Sequence, residues 1–143
     1  MKYDFKCDFD LKDCIKTFGL EERGKVQQVV TQQVLTLSEV YIPFDQGALL
    51  TSGRIVNDTD IVWSTPYARY MWNGIVYVDP QLHCAGFLTE NGWKSRKDVQ
   101  KVPTDRKLQY HGGKLRGPRW VDRMMQNGGR EKIEKAAREA VKK

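Results

Sequence analysis

The chain has 143 residues, 40% hydrophobic and 29% charged, the balance of an ordinary folded domain rather than a disordered or fibrous segment. One domain of that length buries roughly two-thirds of the surface its unfolded form exposes, so its core needs neither a disulfide nor a structural metal. Its longest apolar stretches, such as Gly74 to Val78, fall far short of the roughly 20 residues that cross a bilayer. The opening MKYDFKCDFDLKD is acidic with no apolar signal core, which predicts a protein made and kept in the cytoplasm, with no membrane partner. Cys7, Cys14 and Cys84 are an odd number without a C-x-x-C pair and read as free reduced thiols.

From Glu21 to Tyr41 the apolar residues Val26, Val30, Val34, Leu37 and Tyr41 recur at intervals of four and three, which predicts an amphipathic helix ended by Pro43. Its β-branched content weakens intrinsic propensity, so packing against something, plausibly a sheet, must hold it. After a turn at Gly47, Leu50–Val56 and Ile61–Thr65 predict a β-hairpin across Asn57-Asp58-Thr59-Asp60. Pro66 stops it, Tyr67–Asn73 reads as a short helix, and Gly74 releases the chain into a third strand at Ile75–Val78. Residues 79–118 hold Pro80, Pro103, Pro118 and little periodicity, and predict an extended, mostly irregular excursion. Helical character returns from Arg119 to Lys143, with Trp120 and Met124 four apart, a break at Gly128-Gly129, and a narrow stripe of Ile133, Ala136, Ala137, Ala140 and Val141. The expected fold is α+β. The long N-terminal helix and the C-terminal helix pack on one face of a small antiparallel sheet, in a single domain spanning 1–143.

Charge is unevenly placed. Residues 1–90 carry 8 Lys+Arg and 12 Asp+Glu, a net of −4, whereas residues 91–143 carry 16 and 6, a net of +10. Such a dipole seats a polyanion or joins the positive end of one subunit to the negative end of its neighbour. Lys94, Arg96, Lys97, Lys101, Arg106, Lys107, Lys114, Arg116, Arg119 and Arg123, with Trp93, Tyr110 and Trp120 among them, fit a phosphate backbone with stacked bases, or a solvated loop that pairs with a neighbour's acids.

Chemistry has few carriers. The two histidines, His83 and His111, both lie in the irregular stretch, without H-E-x-x-H, G-x-S-x-G or a zinc-like Cys/His spacing. Gly112-Gly113-Lys114 lacks the preceding strand and the following Ser or Thr of a phosphate loop. No catalytic residue, cofactor site or metal site is expected. A small enzyme using Cys84 or His111 and a small basic nucleic-acid-binding protein stand as rival readings.

Three blocks in order carry a resemblance: Ile42-Pro43-Phe44-Asp45-Gln46-Gly47-Ala48-Leu49-Leu50-Thr51-Ser52, then Thr65-Pro66-Tyr67-Ala68-Arg69-Tyr70-Met71-Trp72-Asn73-Gly74, then Trp120 to Met125. They resemble the minor capsid and tail-completion (head-tail joining) proteins of long-tailed bacteriophages, in which a P-x-D-T-G-x-L-x-x-S turn follows the first helix and a YA-x-Y-x-x-x-G stretch follows a hairpin. Val76–Pro80 and Val102–Tyr110 resemble the minor capsid branch of that family, and Gln46 departs from it where a Thr is usual. The turn motif falls on Pro43, Asp45, Gly47, Leu49 and Ser52. In it Asp45 is expected to accept backbone N–H bonds, Gly47 to take a positive φ, and Leu49 to return to the core. The candidate interface is Tyr67, Tyr70, Trp72, Gly74, Trp93, Arg96, Arg106 and Tyr110, with Trp72 expected to be more exposed than Tyr67.

The resemblance implies a structural virion protein of the head-tail connector, or neck, assembled in the host cytoplasm. Its partners would be further copies of itself in a hexameric ring, the portal adaptor or stopper, the tail terminator or tube, and, weakly, the genomic DNA passing through. The 79–118 excursion is expected to carry contacts between subunits.

Overall fold

The computed structural model describes residues 10–142. Cys7, with the rest of the first nine residues of the opening, and the terminal Lys143 lie outside the described residues. The first element, α1 (Leu11–Thr17), starts where the Asp10 carboxylate accepts the Lys12 amide at 2.9 Å. Seven residues are too few to show as a periodic window, and the sequence reading passed over this helix.

The long helix is shorter than expected: α2 spans Lys25–Ser38, 14 residues, not 21–41. A turn in which the Gly24 amide donates to the Glu21 carbonyl (2.9 Å) precedes it. Its end is set by Ser38, not Pro43. The Ser38 hydroxyl donates back to the Val34 carbonyl at 2.6 Å, and the amides of Tyr41 and Ile42 fold onto the Ser38 carbonyl at 2.9 and 3.2 Å. That turn peels Tyr41 off the helix and drops it, with Ile42, into the core. Val30, Val34 and Leu37 pack against the core as their spacing predicts. Thr31 is buried because its hydroxyl reaches the carbonyls of Gln27 (2.8 Å) and Asp58 (3.0 Å), tying α2 to the next hairpin.

Leu50 and Thr51 belong to a single helical turn, α3 (Ala48–Thr51), rather than to a strand. The hairpin is β1 (Gly53–Val56) with β2 (Asp60–Trp63), and Asn57 and Asp58 take its left-handed corner at φ 54° and 63°. Then come α4 (Ala68–Asn73) and β3 (Ile75–Val78), close to the expected bounds.

The 79–118 stretch is more regular than its composition predicted. It contains a second hairpin, β4 (Phe87–Thr89) with β5 (Gly92–Lys94), and a strand, β6 (Val102–Lys107), that pairs antiparallel with β3 through an irregular register. The expected single sheet is instead three separate two-stranded sheets. The helices therefore share no sheet face: α2 packs along the last helix, α6 (Arg130–Lys142), and on the first hairpin. Before α6, α5 (Trp120–Met124) is cut off by a kink at Asn127 and Gly128, where the sequence placed the break. Along α6, Ile133 and Ala140 are buried and Ala136 and Ala137 half-buried, small side chains that let two helices lie close.

The core centres on Trp120, 1% exposed. Trp63 meets it edge-to-face at 5.4 Å and Trp72 at 4.8 Å, geometry that aromatic quadrupoles favour. Tyr41, Ile42, Leu49, Ala68, Met124 and Ile133 complete the cluster.

Candidate assembly surfaces

The 43–52 turn works as packing predicts, with one exception. Gly47 takes φ 85°, Leu49 is buried, and the Ser52 hydroxyl donates to the Leu49 carbonyl at 2.7 Å. Asp45 is exposed and, among the described residues, accepts none of the amide bonds expected of it. The turn is held from outside. The Phe44 amide donates to the His111 carbonyl (3.2 Å), and the Gly117 amide to the Tyr41 carbonyl (3.2 Å). The Arg116 guanidinium donates to the carbonyls of Glu39 (3.1 Å), Ile42 and Gly112 (2.9 Å) and lies 5.3 Å from the Phe44 ring centre. Carbonyls just beyond a helix end lack helical partners, and a cation there satisfies them. A groove of about 290 Å³ opens beside this clamp, lined by Phe44, Asp45, Tyr67, Met71, Gln109 and His111 among others.

The second block divides between inside and outside. Tyr67 is 42% exposed, while Trp72 is half-buried against Trp120, the reverse of the expected order. The reason is a bond outside the block: the Arg119 amide donates to the Trp72 carbonyl (3.2 Å) and brings Trp120 to its indole. Gly74 is buried at φ 76°, where a Cβ would stand 2.8 Å from Pro118 and 3.2 Å from the Tyr110 hydroxyl. That hydroxyl donates to the Met71 carbonyl at 2.7 Å, and burial pushes the phenol's pKa up. Tyr70 packs on Tyr77 at 4.9 Å, with Arg69 and Lys101 at its ring. Trp72, Gly74 and Tyr110 thus form an internal joint. Outside it lies a shallow apolar hollow lined by Trp63, Ala68, Trp72 and Trp120, with Arg69 at its edge.

The excursion is pinned at its base by an ion pair the sequence reading did not find. Arg96 donates to both Asp79 carboxylate oxygens, Nε at 2.6 Å and Nη2 at 2.7 Å, and through Nη1 to Gln81 Oε1 at 2.8 Å. Asp79, buried, also accepts the amides of Gln81 (2.8 Å) and Leu82 (3.1 Å). The Arg96 hydrogen bond, and after it the two amides, hold this carboxyl well below the usual carboxylate range, against the opposing effect of burial. Arg96 is in turn raised, chiefly by its bond to Asp79. Beyond the pair, the β4–β5 hairpin exposes Trp93 (68%) and Leu88 (78%), and Arg106 is exposed on β6. Leu88 belonged to no motif. A lone Leu in a polar stretch gives no signal of its own.

Neither His83 nor His111 makes a side-chain hydrogen bond among the described residues, and no cluster of three metal-ligating side chains forms among them. Among the described residues, Cys14 and Cys84 are unpaired thiols. Residues 6–140 match the family described as minor capsid protein. The chain belongs to that family. The match takes in all three motif blocks, from the 42–52 turn to the start of α5. No curated protein and no solved structure matches the chain. This minor capsid protein is a structural component of the bacteriophage particle, and no described helix is long and apolar enough to cross a membrane.

Proposed function

We propose that this minor capsid protein is a neck subunit, forming a hexameric ring that joins the portal adaptor or stopper on the head side to the tail terminator or tube. The observation that carries the reading is the arm between Asp79 and Gly117. No residue from Pro80 to Arg116 is buried, yet the arm is folded, with an ion pair at its base and a hairpin that exposes Leu88 and Trp93. A structured arm with no fully buried side chain of its own fits a segment part of whose burial comes from a neighbour. The opposed charges of the two halves fit a head-to-tail ring, in which unlike surfaces of one chain meet.

Particles made without the chain are the test. The expected result is DNA-filled heads and separate tails, with joining restored by the chain in trans. Joined particles in its absence would remove the neck role. Light scattering and imaging of the purified chain count the ring. Four of the sixteen basic residues between 91 and 143 are engaged within the fold, Arg96 on Asp79, Lys101 on the Ala85 carbonyl, Arg116 and Arg123 on other carbonyls, which gives these four a structural use and favours the neck reading over a freestanding nucleic-acid-binding protein. Duplex DNA should bind weakly and fall away with salt.

A further inference from the structure

We propose that the Leu88–Trp93 face of the β4–β5 hairpin of one copy docks in the aromatic hollow of a second copy, with Glu90 against Arg69. The inference rests on the ring reading and deepens it by naming the two surfaces that join neighbours.

The hairpin is built to be a contact. Leu88 and Trp93 are direct cross-strand partners, and strand alternation puts both on one face, with Phe87, Thr89 and Lys94 on the other. At 78% and 68% exposure they form an adjacent apolar pair, not scattered surface residues. The Trp93 ring also lies across Gly86, whose Cβ position would stand 2.6 Å from its Nε1. The ring is therefore seated before binding, which lowers the ordering cost of using it as an anchor.

The hollow matches in chemistry. It is an open depression of about 390 Å³ whose apolar lining is Trp63, Ala68, Trp72 and Trp120. Two of its walls already lean edge-to-face on Trp120, so it is rigid and aromatic, the surroundings in which an inserted indole and leucine are most effective. Among the described residues, the only charged one lining the hollow is Arg69, 5.2 Å from the Tyr70 ring centre. Within the turn that joins β4 to β5 the only charge is Glu90. The signs are opposite, and each sits at the edge of its apolar patch. Because hairpin and hollow are different surfaces of the same chain, the contact is head-to-tail and propagates into a ring. A hairpin tip is smaller than the roughly 800 Å² per partner of a stable interface, so it acts as the anchor within a larger contact.

The test is the self-association of the full chain by light scattering over a range of concentration, with Trp93→Ser, Leu88→Ser, Arg69→Glu, Glu90→Arg and the double reversal. Trp93→Ser should weaken association roughly 30-fold while leaving the unfolding midpoint unchanged, since the side chain is outside the core. Each charge reversal should weaken association, and Arg69→Glu with Glu90→Arg together should recover it. Wild-type association by Trp93→Ser, or failure of the double reversal to recover, overturns the docking and leaves the neck reading standing. A wild-type chain that stays monomeric at every concentration overturns both the docking and the ring.

Discussion

Two regions of this molecule are held by different physics. The body, from α2 to β3 with α5 and α6, is organised around Trp120 by buried apolar side chains. The arm between Asp79 and Gly117 has no buried residue along its length and is held by directed polar bonds: the ladder of β6 on β3, Arg96 to Asp79, Lys101 to Ala85, Thr104 to Val76, Tyr110 to Met71, Arg116 to Ile42. Apolar burial is non-directional and insensitive to pH, whereas polar bonds depend on geometry and protonation. The difference means that the body should unfold as one cooperative unit while the arm can loosen alone.

The strongest way to break the comparison is to strike the body. Trp120→Ala removes the ring on which Trp63 and Trp72 both rest and should cost about 3–5 kcal/mol, read as a lowered denaturant midpoint for the whole chain. A second stroke falls where body and arm meet. Gly74→Ala forces a non-glycine residue to φ 76°, costing about 1–2 kcal/mol on backbone grounds alone. Its new methyl would also crowd Pro118 at 2.8 Å and the Tyr110 hydroxyl. Loss in the same thermal transition would show that the joint belongs to the body. Loss confined to the arm would redraw the boundary.

What was legible in the sequence follows the same division. Local geometry was readable: a hairpin turn at Asn57–Asp60, Gly47 at positive φ, the chain leaving a short helix at Gly74, the break at Gly128. So was the order of the motif blocks, which the family match spans. The end of α2 was misplaced because Ser38's bond to Val34 competes with helix extension, a choice that periodicity does not register. Strand β6 was missed because its partner β3 lies far back along the chain and its own residues, Val-Pro-Thr-Asp-Arg-Lys, carry no alternating apolar face. Asp79 and Arg96 are 17 residues apart, and neither residue type announces a partner at that distance. The arm was opaque because polar pairing between distant residues leaves no pattern along the chain. The aromatic centre was half legible, since Trp120 and Met124 share a helix face but Trp63 and Trp72 reach them only through the fold.

A finer cut separates the bonds that fasten the arm. Tyr110→Phe removes the hydroxyl that donates to the Met71 carbonyl and should cost about 1 kcal/mol, measured by equilibrium unfolding. The pH dependence has a definite sign. Burial raises the folded phenol above its ordinary value of 10.0, with Arg123 opposing, so Tyr110's contribution is complete below that value and is lost as pH rises through the folded one. The alkaline limb of the stability profile should flatten in the variant.

The smallest global effect, and the sharpest test of the comparison, belongs to Asp79→Asn. The amide keeps the shape but loses the charge that binds Arg96 through two bonds, so the arm's base should open without disturbing Trp120. The wild-type chain should show the same opening in acid. Asp79's folded pKa lies below its ordinary 3.8, so its contribution is present above that value and fades as pH falls from 3.8 toward the folded one. Amide exchange across residues 80–101 is the measurement. At neutral pH the variant should exchange as the wild type does in acid, while protection in α2 and α6 stays unchanged. Arg96→Lys should open the base in the same way, because an ammonium cannot reproduce the two-pronged bond. If protection falls equally in arm and helices, the arm is part of the body's cooperative unit, and the division between the two regions is wrong.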